Sequence, residues 1–195
     1  MKMRIASFLL LTFASAASAG VLNGNCDIRI LGTSTLHDFS GTVRCQPFPV
    51  SLVGDAEGRM VIPGVEIAVL VEEMDTQNKS RDKQMREMFQ GGKFPRIQAV
   101  LLNLDPDKIL REMRNDPNGK GMVELTLKIR DVERRIQAVI GNLRENPGRV
   151  SFDAEFPLSL KEYDLKPPTV FFGAIRVGDK VTVNAAFRLE EVPSK

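Results

Sequence analysis

Residues 121–130 read "GMVELTLKIR". Val123, Leu125, Leu127 and Ile129 fall on one side of an extended chain, and Glu124, Thr126, Lys128 and Arg130 on the other. Successive strand side chains point to opposite faces, so this is a strand with one dry side and one wet side. "RVSFDAEFPLSL", residues 149–160, repeats the pattern with Val150, Phe152, Ala154, Phe156, Leu158 and Leu160. "KVTVNAAFRLE", residues 180–190, repeats it again with Val181, Val183, Ala185, Phe187 and Leu189. One-faced strands belong to antiparallel sheets, because parallel strands are covered on both faces and read as continuous apolar runs.

Other segments extend the same architecture. "CDIRIL" and "FSGTVRC" read as strands on either side of residues 32–41, "GTSTLHDFSG". "RMVIPGVEIAVLVEE" reads as two strands, or one broken at Pro63-Gly64, with Ile67, Val69 and Val71 facing inward. "RIQAVLLNL" and "RRIQAVIGNL" add two more, with turns at "DPNGKG", "ENPG" and "VGDK". Two short helices interrupt the strands. "NKSRDKQMREMFQGG" carries Met85, Met88 and Phe89 at helical spacing, with Gly91-Gly92 as the stop. "LDPDKILREMRNDP" offers Asp105 as N-cap, Pro106 as first helical residue, and a narrow stripe of Ile109, Leu110 and Met113. The prediction is an all-β, antiparallel domain over residues 20–195, its apolar faces packed as a sandwich or closed as a barrel. Pattern alone does not choose between the two.

The N-terminus suggests export. Lys2 and Arg4 precede an apolar run from Ile5 to Phe13 and an Ala17-Ser18-Ala19 cleavage pattern, so residues 1–19 read as a signal peptide. That run is too short for a membrane span. The whole chain has 27 Lys+Arg and 25 Asp+Glu, and removal of the leader leaves 25 of each. This balance calls for neither nucleic acid nor an anionic membrane. The expected location is an exported, oxidising compartment, periplasmic or secreted. Cys26 and Cys45 would meet an oxidising space there, which predicts a disulfide stapling the first strand to the second; two buried free thiols are the alternative. Two cysteines and one histidine make no convincing metal site, and nothing in the chain calls for a cofactor.

Ser34, His37, Asp38 and Ser40 are the residue types of a hydrolase triad. In an extended segment, alternation would point the imidazole away from all three of the others. The chain has one histidine and no G-x-S-x-G elbow. A backbone-bridging role at a strand entrance suits His37 better, and the chain reads as a non-enzyme.

Taken in order, "STLHDFSGTV", "NKSRDKQMREMFQGGKFPRIQAVLL", "GKGMVELTLKIRDVERRIQAVI" and "FPLSLKEYDLKPP…IRVGDKVTVNAAFRL" resemble the YceI-like family of exported, lipocalin-like proteins associated with polyisoprenoid binding. The resemblance implies a barrel of about eight strands with an interior for a long apolar chain. It places His37 and Phe39 in the family's Ser/His/Phe block, and Arg81 with Asp82 in its Arg-Asp pair. Phe89, Phe94 and Pro95 fall in the helix-to-strand block. Gln84 and the Val132-Glu133 turn depart from the family's usual residues, and residues 104–117 look more helical than its pattern.

Ala138, Ala154 and Ala185 fall at inward positions among larger residues. They leave room along the axis, or they belong to big-small packing of a solid barrel. A hollow barrel would hold an isoprenoid or similar lipid against Ile67, Val69, Leu125, Leu127, Phe152, Phe156, Val183 and Phe187. Met85, Met88 and Phe89 would form its mouth or plain core, and His37 with Arg81 its rim. A solid barrel would instead suit an interaction or stress-response module. Exposed strand edges would allow a homodimer.

Overall fold

In a computed structural model the described residues are 20–167, 169–170 and 175–192. The leader assigned to residues 1–19 lies outside them. Ten strands and two α-helices are present among the described residues. They run β1 (Gly20–Ser34), β2 (Phe39–Arg44), β3 (Phe48–Gly54), β4 (Met60–Leu70), α1 (Lys79–Phe89), β5 (Arg96–Leu104), α2 (Pro106–Asn115), β6 (Gly121–Ile129), β7 (Val132–Asn146), β8 (Arg149–Ser159), β9 (Thr169–Val170) and β10 (Ile175–Glu191). Neighbours pair antiparallel in the order β2-β1-β3-β4-β5-β6-β7-β8-β10-β9, and β1 pairs with β10 to close the barrel.

The closed wall has eight positions, because β2 and β3 share one. Residues Asp27 to Gly32 of β1 pair with β2, and Gly20 to Gly24 pair with β3. The chain breaks between β2 and β3 at Gln46-Pro47. Proline cannot donate to a ladder, so one barrel position is built from two half-strands.

The dry faces turn inward and form one main core that includes Val43, Val50, Val69, Leu125, Leu127 and Val183. Cys26 and Cys45 are buried in it and joined by a disulfide with a Cα–Cα separation of 5.3 Å. The bond ties β1 to the end of β2, and a loop of 19 residues makes it worth about 3 kcal/mol in the chain-entropy view.

The segment with Pro63 and Gly64 is one strand, not two. Ile62 pairs with Leu104 and Gly64 with Leu102, in one register. Pro63 is tolerated because the β3–β4 ladder covers only Val53–Val61 and Gly54–Met60. The inward set changes phase here: Ile62 and Val65 both line the interior, as do Leu101 and Leu104 across from them, with Asn103 at φ 51°. A similar slip falls in β7, where Asn142 has φ 53° and the β7–β8 register shifts between Gly141 and Arg144. It turns Leu143 and Glu145 toward the interior.

Both helices form where the sequence predicts them. Asn78 caps α1 by accepting from the Arg81 N–H at 3.1 Å, and Asp105 caps α2 by accepting from the Lys108 N–H at 2.8 Å. The stop of α1 falls one residue early, on Gln90, which takes the left-handed conformation at φ 53°. A short 3-10 turn at Lys161–Tyr163 follows β8 and lies against β7. Tyr163 and Leu165 are fully buried there, and the Tyr163 hydroxyl has no hydrogen-bond partner among the described residues. Burial raises its pKa to about 12.

Candidate functional site

The inward alternation of eight strand positions leaves a cavity of about 430 Å³ along the barrel axis. That volume lies in the range of small-molecule sites. Small residues make the room: Ala138 on β7, Ala154 on β8 and Ala185 on β10 all line it. Ala154 and Ala185 are direct cross-strand partners, so two missing side chains coincide at one level. Two residue pairs along, on the same face, Phe152 and Phe187 stack with ring centroids 5.0 Å apart.

Every residue that the sequence assigned to the ligand lines this cavity except His37. Ile67 and Val69 enter from β4, Leu125 and Leu127 from β6, Phe156 from β8, and Val183 from β10. Phe39, Arg81, Met85, Met88 and Phe89 close one end, where α1 lies. His37 sits exposed on a turn outside the lining. Residues 35–38 are not extended, so strand alternation does not set the direction of the imidazole. Ser34 organises the turn: its Oγ accepts from the His37 N–H at 3.2 Å and donates to the His37 carbonyl at 2.6 Å. The serine hydroxyl is therefore engaged with backbone, as in other serine-centred turns.

The sequence reading missed the opposite end. Pro106, Ile109, Leu110 and Met113 of α2 line the cavity, together with Leu143 and Glu145 of β7. Gly121 makes room for α2, because a Cβ there would stand 2.9 Å from Met113 Cγ. The stripe of Ile109, Leu110 and Met113 was visible in the sequence, but a stripe does not say whether it covers a sheet or corks a barrel.

Among the described residues three polar ones interrupt the lining: Thr76, Arg81 and Glu145. Thr76 is turned away from ligand chemistry, since its N–H and hydroxyl donate to Asp82 Oδ1 at 2.8 and 2.6 Å. Burial of Asp82 opposes its ionisation, but these bonds and the nearby Arg86 and Arg81 prevail and hold its pKa below the usual carboxylate value. Glu145 is exposed at the α2 end. Arg81 is half-buried at the α1 end, its guanidinium 5.3 Å from the Phe39 ring centroid. Among the described residues that guanidinium makes no salt bridge and no side-chain hydrogen bond. Phe39 is held beneath it by its cross-strand partner Gly32, over which the ring folds so closely that a Cβ would stand 2.4 Å from it. No cluster of metal-ligating side chains exists among the described residues.

A closed antiparallel barrel with an apolar axial cavity and helices at its ends is a lipocalin-like binding fold. The YceI-like domain profile matches residues 23–189, and the chain belongs to that family. Three solved structures share the fold. BcnA of Burkholderia cenocepacia is 13% identical, with a TM-score of 0.60 over 84% of this chain and 95% of its own. A polyisoprenoid binding domain from Saccharophagus degradans is 12% identical, with a TM-score of 0.62 over 90% of this chain and 100% of its own. The Campylobacter jejuni YceI protein is 11% identical, with a TM-score of 0.53 over 98% and 94%. No curated protein matches the chain in sequence. No helix among the described residues is long and apolar enough to cross a membrane.

Proposed function

We propose that this chain is an exported binding protein for a long-chain amphiphile, an isoprenoid or similar lipid, which it holds without changing chemically. The observation that carries this reading is the cavity: about 430 Å³, apolar along its length, with a half-buried cation, Arg81, that makes no salt bridge among the described residues at one end. A hydrocarbon tail lies along the axis past Ala154 and Ala185, and a polar or anionic head sits beside Arg81. Each methylene moved from water into such a cavity contributes about 0.8 kcal/mol, so one isoprene unit contributes a few kcal/mol. The guanidinium suits a phosphate or carboxylate head, because its fork of donors matches both. The polyisoprenoid binding domain among the structural neighbours supports the same ligand class.

A non-catalytic role is supported by the turn at residues 34–38. Its serine is committed to backbone and its histidine lies outside the cavity. The signal-like N-terminus and the Cys26–Cys45 disulfide support export to the periplasm or beyond.

The test is purification of the protein from its native host, organic extraction and mass spectrometry, with uptake of a fluorescent isoprenyl phosphate by the delipidated protein. Co-purified long-chain lipid and saturable uptake are expected. Repeated recovery of no lipid, together with no uptake of the probe, would overturn the reading.

A further inference from the structure

The two ends of the cavity are closed in different ways. At one end α1 is pinned by polar and apolar contacts together. Asp82 takes two hydrogen bonds from Thr76, Phe89 is buried in the main core, and the Arg81 cation lies over Phe39. At the other end, among the described residues, no side chain of α2 makes a hydrogen bond or salt bridge to a strand. Its one ion pair, Lys108 with Glu112 at 3.9 Å, lies within the helix. Contact with the barrel rests on Ile109 and Met113, which join a small cluster with Ile140, Ala154, Phe152 and Phe187, linked to the main core through Phe187 and Val123.

The wall is also open beneath α2. The β5–β6 ladder covers only Ile97–Val100 against Thr126–Ile129. Leu101–Leu104 and Gly121–Leu125 lie beyond it, so the two strands part toward the end that α2 corks. Two other seams are closed differently. The gap between β3 and β4 is bracketed by Val53–Val61 and by a bridge from Cys45 to Val69. The gap between β7 and β8 lies where the 3-10 turn packs against β7 with Tyr163 and Leu165 fully buried. Where β5 and β6 part, each strand carries a large exposed apolar residue, Leu102 at 65% and Met122 at 52% exposure; Met122 also faces the exposed Val139 across the β6–β7 ladder.

We infer that α2 is a displaceable floor that gauges the length of the bound tail; this rests on the reading of an amphiphile with its head beside Arg81. A strand rises about 3.3 Å per residue, so Val123 lies about 20 Å along β6 from Ile129. A tail of a few isoprene units fits within that depth, and a much longer one meets Ile109, Leu110 and Met113. Among the described residues, pushing α2 aside breaks no polar side-chain contact to the wall, and the tail replaces the lost apolar contacts with its own. The surplus chain leaves between β5 and β6, past Leu102 and Met122.

The double variant M113C/G121C tests this. A Cβ on Gly121 would stand 2.9 Å from Met113 Cγ, close to the roughly 3 Å between one Cβ and the partner sulfur in a disulfide. The oxidised variant locks α2 down, and its own reduced form controls for the substitutions. Wild type under the same reductant controls for Cys26–Cys45. Affinities are measured for farnesyl phosphate and undecaprenyl phosphate. Oxidation is expected to weaken undecaprenyl phosphate about tenfold or more while farnesyl phosphate changes less than about twofold. Equal affinity for the long chain in both redox states, or equal losses for both chains, would overturn the gauge. If wild type takes up neither chain, the amphiphile reading itself fails and the gauge goes with it. Hydrogen exchange on the ligand-free wild type reads the looseness of α2 separately: its amides are expected to exchange about tenfold or more faster than those of α1. Equal protection of the two helices would overturn the inference without any ligand.

Discussion

Ala154 on β8 and Ala185 on β10 face each other across one rung of the ladder, and both open into the axial cavity. Had either position carried a large residue, the barrel would be divided at that level. The substitutions Ala154→Phe and Ala185→Leu therefore fill space that the native fold leaves empty. Overpacking a well-filled core costs about 1–3 kcal/mol, and a neighbouring void lowers that cost. The expected outcome for the pair is a barrel with unchanged far-ultraviolet circular dichroism and a loss of isoprenyl phosphate uptake of about tenfold or more. Undiminished uptake by a folded double variant would show that the tail does not pass this level.

Arg81 gives a second prediction, about the head group. Its guanidinium lines an otherwise apolar cavity and makes no salt bridge among the described residues. Arg81→Leu is expected to weaken an isoprenyl phosphate by about 1.5–3 kcal/mol, the worth of a charge-assisted hydrogen bond, and to leave the matching isoprenyl alcohol nearly unchanged. Isothermal titration with the two ligands separates the cases. Equal losses for phosphate and alcohol would assign Arg81 a packing role through its stem over Phe39.

The bond set around Asp82 makes a third prediction, about stability and pH. Asp82 and Thr76 are both buried, and two donors of Thr76 converge on Asp82 Oδ1. Asp82→Ala leaves the Thr76 N–H without its acceptor and the hydroxyl with only the Asn78 carbonyl at 3.5 Å, at a cost of about 1–3 kcal/mol in urea unfolding at neutral pH. The folded pKa of Asp82 lies below its ordinary value, so its contribution is complete above the unfolded carboxylate pKa and is lost as pH falls through the folded one. The stability gap between wild type and Asp82→Ala is therefore expected to narrow in acid. A gap that stays constant across the carboxylate range would show that the charge plays no part.

The wall of the barrel was legible in the sequence because β6, β8 and β10 each bury one face only, and a period of two records that directly. The inward rows read from those strands, Ala154 and Ala185 included, all line the cavity, and Ala138 of β7 joins them. Three features were not legible, each for a physical reason. β3 is short and flanked by Pro47, so it resembles a loop until β1 offers it half an edge. Leu143 and Glu145 reach the cavity only because Asn142 slips the phase of β7, which no alternation pattern can show. The site of α2 is set by the parting of β5 and β6, a tertiary event with no local signature. His37 illustrates the reverse case, since its residue type suggested a rim while the hydroxyl of Ser34 fixed a turn that leaves it outside the cavity.

Tyr163 provides the last prediction. It is fully buried where the 3-10 turn meets β7, and its hydroxyl has no protein partner among the described residues. A buried hydroxyl without a partner costs free energy that phenylalanine does not incur. Tyr163→Phe keeps the ring, so it is expected to raise stability by about 1 kcal/mol or leave it unchanged. Alkaline pH sharpens the test. Desolvation raises the phenol from its ordinary value of 10.0 to about 12, so the folded state resists losing a proton that the unfolded state gives up. Stability linked to Tyr163 is therefore intact below pH 10 and falls as the pH rises toward 12. Urea unfolding of wild type and Tyr163→Phe across that interval should diverge, wild type losing on the order of 2 kcal/mol more than the variant. Parallel curves would mean that the phenol reaches water in the folded state, and that the β7–β8 seam is not sealed by this ring.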